Sequence, residues 1–221
     1  HHPLWDSYMW ATPPESDSLS PYTHLQHIPN ITGNVSADGT IRWNVPKGQW
    51  VISRIGMVPT GVTNSPAPPE ATGLEVDKMN KQALQRHFDA FVKKIYDRIP
   101  PADRKAFAHV VEDSYEVGSE NWTDNFDKDF EKKYGYDPLP WLPVLSGHVI
   151  GSQDQSDRFL WDMRRLIADK ISYDYVGGLR ELSEQYGLRS WLENYGHWGY
   201  PGEFLQYGSQ SSDISGEFWA E

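Results

Sequence analysis

From about residue 74 onward the hydrophobic period of the chain switches back and forth between helical and extended, and this switching restricts its fold more than any other feature. Ala83, Leu84, His87, Phe88, Phe91, Val92, Ile95 and Ile99 recur at helical spacing behind Asn80, a good N-cap, and Pro100-Pro101 stops them. AFAHVVED (106–113) is then an apolar run of strand length. Thr123 is placed to cap a helix carrying Phe126, Phe130 and Tyr134, which Gly135 ends. The longest helical pattern runs from Asp157 to Tyr186. Gly177-Gly178 is expected to kink it, and Gly187 to end it. LRSWLEN (188–194) has strand length again, and the tail reads as loop until SGEFW. Strand and helix in alternation predict parallel βα units.

Acids follow the apolar runs, at Asp77, at Asp113 and Glu116, and at Glu193. In a (β/α)8 barrel, catalytic groups sit at the C-terminal ends of the strands, so the placement fits an α/β fold of that kind. A full barrel takes roughly 250 residues, whereas the region from residue 74 holds only about three βα units. Either the fold is smaller, or 74–221 is an incomplete part of a barrel. Upstream, residues 31–58 alternate (Ile41, Trp43, Val45) around the turn signals Asp38-Gly39 and Pro46-Lys47-Gly48, which predicts short antiparallel strands. With the Pro/Gly-rich loop 59–73 they make a small β-rich, sandwich-like element spanning 31–73. Residues 1–30 read as an irregular lead-in.

The net charge of −11 argues against nucleic acid, whose phosphates need Lys and Arg in excess, and against anionic membrane surfaces. A neutral or cationic ligand, or a metal ion, is easier to accept. The absence of cysteine excludes disulfides, thiolate catalysis and Cys-based zinc sites. It does not decide the compartment; a bacterial periplasmic or secreted setting is the expectation. No apolar run approaches the ~20 residues that span a bilayer, so membrane insertion is not expected. No pair of histidines has metal spacing, and His87 and His109 read as core histidines.

WNVPKGQWVISRIG, TGVTNSPAPPEATGLEVDKM, DSYEVGSENWT, FEKKYGYD, RFLWDMRR, LENYG and GEFW occur in that order. As a set they closely resemble glycoside hydrolase family 106, the α-L-rhamnosidases, over roughly residues 20–221. The resemblance implies a much larger enzyme with a (β/α)8 catalytic barrel and associated β-sandwich domains, of which this sequence is an internal part. It also implies inversion at the anomeric carbon and dependence on Ca2+. The chemistry agrees: an inverting enzyme needs a protonated carboxyl for the leaving oxygen and an ionised one for water, about 6.5–9.5 Å apart. Calcium takes six to eight oxygen ligands, which an acid-rich site supplies.

On this basis Glu116 is the first choice for general acid, because it follows an apolar strand and has Tyr115 and Trp122 nearby to desolvate it. Its plainer alternative is a capping or solvated loop acid. Glu217, in SGEFW beside Phe218 and Trp219, is the choice for base, with Trp219 a platform for a sugar face. Glu193 is a third catalytic candidate or a calcium ligand, and Asp113 a substrate or calcium ligand; each has a surface or turn role as its alternative. Asn121 and Trp122 are candidate substrate contacts, against helix initiation and core packing. Asp77 could orient a sugar hydroxyl and Lys78 could meet a carboxylate, against a simple charge pair at a helix entry. His197 could line the pocket. In Asn64 a turn role outweighs substrate contact. Glu112, on the opposite face by strand alternation, reads as structural, and Glu120 as a charge favouring a helix start.

The expected function is removal of terminal α-L-rhamnosyl units from rhamnose-containing oligo- or polysaccharides of plants or microbes. The expected partners are that glycan and the remainder of the parent enzyme's barrel. The alternatives are a related barrel glycosidase of other deoxysugar specificity and a non-catalytic carbohydrate-binding protein.

Overall fold

The structure is a computed structural model that describes residues 22–196 and 202–216. Among the described residues, Val58–Asp124 and those from Arg164 onward form one compact unit, while those up to Met57 and Asn125–Met163 form a second.

The first unit is built on a parallel sheet of three strands, β1 (His109–Glu112), β2 (Arg189–Glu193) and β3 (Asp213–Ser215), in that order. The register pairs Val111 with Trp191 and Glu112 with Leu192, then Trp191 with Asp213 and Glu193 with Ser215. A bridge between Tyr115 and Gly196 prolongs the β1–β2 pairing past the strand ends. Both strands read from the sequence are therefore present, a few residues shorter than their apolar runs. β3 is an addition: it has only three residues and its one apolar side chain, Ile214, is exposed, so it leaves no apolar signal.

Because side chains alternate along a strand, the sheet has two distinct faces. Val110, Glu112, Ser190 and Leu192 are buried. The first of these packs with Leu84, Phe88 and Val92 from α1 (Lys81–Ala90) and α2 (Val92–Arg98), and with Leu179 and Leu182 from the helix Gly177–Glu184. His109, Val111, Arg189 and Trp191 belong to the other face, where Val111 is 65% exposed. This alternation corrects the expectation for His109, which lies on the open face with its Nε2 3.2 Å from Asp213 Oδ2. His87 is also exposed, one position off the buried stripe of Leu84 and Phe88.

Asn80 caps α1 as expected, its Oδ1 accepting the N–H groups of Gln82 and Ala83 at 3.0 and 3.1 Å. The single helix expected over 80–99 is divided at Phe91, whose backbone (φ −121°, ψ −77°) leaves the helical region. Asn80→Ala should cost about 1 kcal/mol of local stability, the usual value of an N-cap. Amide exchange confined to the first turn of α1 would read it directly.

The long helical pattern forms α4 (Gln153–Lys170), a π-helical turn (Ile171–Val176) and α5 (Gly177–Glu184). The turn answers the apolar spacing. Ile167, Ile171, Tyr175 and Leu179 stand four apart, which overshoots a 3.6-residue turn at each step. A wider i→i+5 turn absorbs the overshoot. Gly177 itself keeps helical angles (φ −61°, ψ −38°), and the irregularity falls in the π-helical turn just before the expected Gly177-Gly178 break. Gly178 instead permits close approach: a Cβ there would meet Leu84 Cδ2 of α1 at 3.0 Å.

In the second unit, α3 (Phe126–Tyr134) ends at Gly135 in the left-handed conformation (φ 81°), as expected. Its N-cap is Asn125, itself left-handed at φ 60°, and not Thr123. Phe130 anchors an aromatic cluster with Tyr134, Tyr136 and Phe159 at centroid distances of 4.8, 5.0 and 5.8 Å. Over 31–58 the expected strands reduce to one antiparallel bridge, Val35–Ile41. Alternation marks which side chains are suited to burial but supplies no backbone partner, and 42–58 finds none in a ladder among the described residues; Val51, Ile52 and Ile55 are exposed. Trp43 and Trp50 meet edge to face at 5.1 Å.

Residues 59–73 form a loop, in the first unit. Asn64 clamps it, accepting the Gly73 N–H at 2.8 Å and donating to the Ala71 carbonyl at 3.1 Å, which is the turn role expected of it.

Candidate active site

Parallel pairing brings the C-terminal ends of β1 and β2 side by side, and with them the acids that follow the two apolar runs. Glu193 closes β2, and Asp113 follows β1 on the same face. Their carboxyls lie close enough for a proton to bridge them, and the Ser114 N–H donates to Glu193 Oε2 at 3.2 Å. The bond to Asp113 is the chief reason that the Glu193 carboxyl is held above its ordinary range; desolvation and the Asp113 charge add to it, while Ser114 opposes it. Two carboxyls in direct contact leave no room for a water between them. They do not have the spacing of an inverting acid–base couple.

Glu116 lies three residues beyond Asp113 and is exposed. The neighbour expected to desolvate it, Tyr115, turns the other way and is 2% exposed, its N–H held by the Tyr195 carbonyl at 2.9 Å. Trp122 is half-buried and Asn121 exposed. Glu217 and Trp219 lie outside the described residues, as does His197.

Asp77 and Lys78 sit beneath this stretch. Asp77 Oδ1 accepts the Met79 N–H at 3.0 Å, and its Oδ2 accepts the Thr123 hydroxyl at 2.6 Å, which is where the expected capping residue of α3 is engaged instead. Lys78 is buried, its ammonium 2.7 Å from Glu75 Oε2 and 3.9 Å from Glu120 Oε1. Glu120 also accepts the Lys78 N–H, at 3.2 Å. This corrects its reading as a helix-start charge: α3 begins only at Phe126, and burial pushes the Glu120 carboxyl up while Lys78 pulls it back.

Sequence reasoning placed Glu112 on the opposite face from Asp113 but did not foresee its environment. It is 3% exposed, and neither carboxyl oxygen has a hydrogen-bond partner of ordinary geometry among the described residues. Burial raises its pKa to about 8, against the pull of Lys78 and of the Tyr207 hydroxyl, and so favours the neutral form of the carboxyl. The available signal was an acid at an apolar-face position of β1. The part it contributes to stability is present below the ordinary glutamate range and is lost as pH rises through about 8.

The described residues thus bring Asp113 and Glu193 together at the strand ends, with Glu116 exposed three residues on and Lys78 buried between Glu75 and Glu120. No group of three or more His, Asp or Glu side chains suited to a metal ion is assembled among the described residues. No helix among them is long and apolar enough to cross a membrane.

Residues 2–221 match glycoside hydrolase family 106, described as alpha-L-rhamnosidase. A Formosa agariphila protein provisionally named a beta-glucuronidase is 38% identical over 195 residues, which cover 88% of this chain and 16% of that protein. A solved rhamnosidase from Novosphingobium sp. PP1Y is 32% identical with a TM-score of 0.70, over 82% of this chain and 18% of its own. The chain therefore spans less than a fifth of the length of either relative.

Proposed function

The chain belongs to glycoside hydrolase family 106, and from that premise we propose that it carries part of the active site of an inverting α-L-rhamnosidase. The three-stranded sheet is then a portion of a (β/α)8 barrel whose open face, with Val111 and Trp191, is turned to the barrel interior. Residues 31–73 precede it in the chain. The substrate is a terminal α-L-rhamnosyl unit of a glycan, and the protein is secreted or periplasmic.

The observation that carries this reading is the convergence of Asp113, Glu116 and Glu193 at the C-terminal ends of neighbouring parallel strands. Because Asp113 and Glu193 touch, the acid–base couple is drawn from Glu116 and a second carboxyl farther off, for which Glu217 is the candidate. Glu116 protonates the leaving oxygen; the second carboxylate takes a proton from the attacking water. The Asp113–Glu193 pair binds sugar hydroxyls. Two carboxylates that relieve their repulsion by sharing a proton also suit a hard divalent cation, to which they would give two of its oxygen ligands. When bound, calcium would neutralise the pair and polarise hydroxyls that it holds.

The sugar class follows from charge. A uronate would place its carboxylate against acids, and Lys78 is buried and paired with Glu75 and Glu120. A neutral 6-deoxy sugar meets no such repulsion. This favours a rhamnoside over the glucuronide in the relative's name.

The test is hydrolysis by the full-length protein of aryl α-L-rhamnoside and aryl β-glucuronide, each with calcium and with chelator. Release from the rhamnoside alone, lowered by chelator together with a lower Tm, is expected. Release from the glucuronide alone would overturn the specificity, and binding of rhamnose without turnover would overturn the enzymatic reading.

A further inference from the structure

The stretch from Asp113 to Thr123 is fastened to residues 75–78 at several points. Thr123 is held by Asp77 at 2.6 Å. Glu120 takes the Lys78 N–H at 3.2 Å and stands 3.9 Å from its ammonium. The same ammonium lies 5.7 Å from the centroid of the Tyr115 ring and 5.5 Å from that of Tyr175, in the π-helical turn, and donates to Glu75 at 2.7 Å. At the head of the stretch, Glu112 brings a buried carboxyl into the same interior, and the Lys78 charge acts on it.

A lysine that is 3% exposed is held only if its partners satisfy it, so its position and theirs are mutually fixed. Those partners bracket Glu116: Tyr115 immediately before it, Glu120 four residues after it. Among the described residues, the partners of Lys78 are Glu75, Glu120 and the rings of Tyr115 and Tyr175, not Asp113 or Glu193.

We infer that Lys78 is a positioning residue for the hydrolysis: by gripping Tyr115 and Glu120 from beneath, it fixes the path of the chain between them and with it the direction of the Glu116 carboxyl. The inference rests on the rhamnosidase reading for its chemistry, not for its geometry. It assigns Lys78 no contact with substrate, so its loss should slow the reaction without weakening binding. A misplacement of about 1 Å at a reacting group costs on the order of 100-fold in rate.

The experiment uses the full-length protein, with Lys78→Met, Lys78→Arg and the double variant Lys78→Met/Glu120→Gln. It measures kcat and KM on aryl α-L-rhamnoside, and amide exchange along the chain. Lys78→Met is expected to lower kcat about 10- to 100-fold with KM held within about twofold. Exchange should quicken over 113–123 and not elsewhere. Lys78→Arg should recover part of kcat, because it keeps the buried charge. The double variant, in which no carboxylate at 120 is left buried without its cation, should fold and remain slow.

A rise in KM at unchanged kcat would make Lys78 a binding residue and overturn the inference. So would unchanged exchange over 113–123, or loosening spread through the whole protein in the double variant. If Lys78→Met does not fold, Lys78→Arg and the double variant decide by the same criteria. If the wild type releases nothing from the rhamnoside, the rhamnosidase reading fails by itself. The positioning role is then decided by amide exchange alone: localised quickening supports it, and no quickening overturns it.

Discussion

Glu116→Gln in the full-length protein is expected to lower kcat/KM on an unactivated α-L-rhamnoside by about three orders of magnitude, within the range that general acid catalysis contributes. On a dinitrophenyl α-L-rhamnoside the loss should be about tenfold or less, since that leaving group departs without a proton. The asymmetry separates an acid from every other role for the residue. A base or a binding group fails equally with both leaving groups, so equal losses would remove Glu116 as the acid. Its exposure fits the role in one respect: Glu116 follows the β1 end, open to an approaching glycan, while Tyr115 and Glu112 turn inward. The geometry needed at a reacting oxygen is then imposed from beneath, through the buried neighbours.

The second large effect is expected at the carboxyl pair. Glu193→Gln should cost about 100-fold in kcat/KM, the scale at which a preorganised polar contact to a reacting sugar is lost. It should also remove the response to calcium. Its pH signature has a definite sign. In the wild type without metal, Asp113 holds the Glu193 carboxyl above its ordinary range. The shared proton therefore stabilises the folded site below the ordinary glutamate range, and that contribution is lost as pH rises through the raised value. A glutamine donates the same bond at every pH. The Tm of the metal-free wild type should fall across this interval, and that of Glu193→Gln should not. Parallel Tm curves would mean that the two side chains do not share a proton.

The two apolar runs before Asp113 and within LRSWLEN were legible because a buried strand must be apolar over its own length. β3 was not, because its pairing is supplied by backbone alone and its side chains are Asp213, Ile214 and Ser215. The open side of the 31–58 alternation misled for the converse reason: side chains announced strands that the described backbone does not pair. At the site, Asp113 and Glu193 could be named from their places after apolar runs, but their contact could not, since it depends on the β1–β2 register. Lys78 could be read as half of a charge pair, while its partners Glu75 and Glu120 and the tyrosine faces around it come together only in the fold. Thr123 shows how local chemistry can be redirected: a residue well suited to cap α3 is claimed by Asp77, and Asn125 takes the cap in a left-handed conformation.

The π-helical turn at Ile171–Val176 has a meaning for the history of the chain as well as for its packing. A turn of this kind holds one residue more than the α-helix needs to cover the same rise, so it marks where an insertion could be accepted without rotating the apolar stripes of α4 and α5 out of the core. Read in reverse, it is the place in this long helix where a single deletion should be tolerated. Anywhere else, the loss of one residue would turn the following stripe by about 100° and present polar side chains to the sheet. Tyr175, which reaches the Lys78 ammonium from within that turn, is the side chain that such a deletion would displace. Length variation among relatives at this point would therefore travel with changes at residue 78.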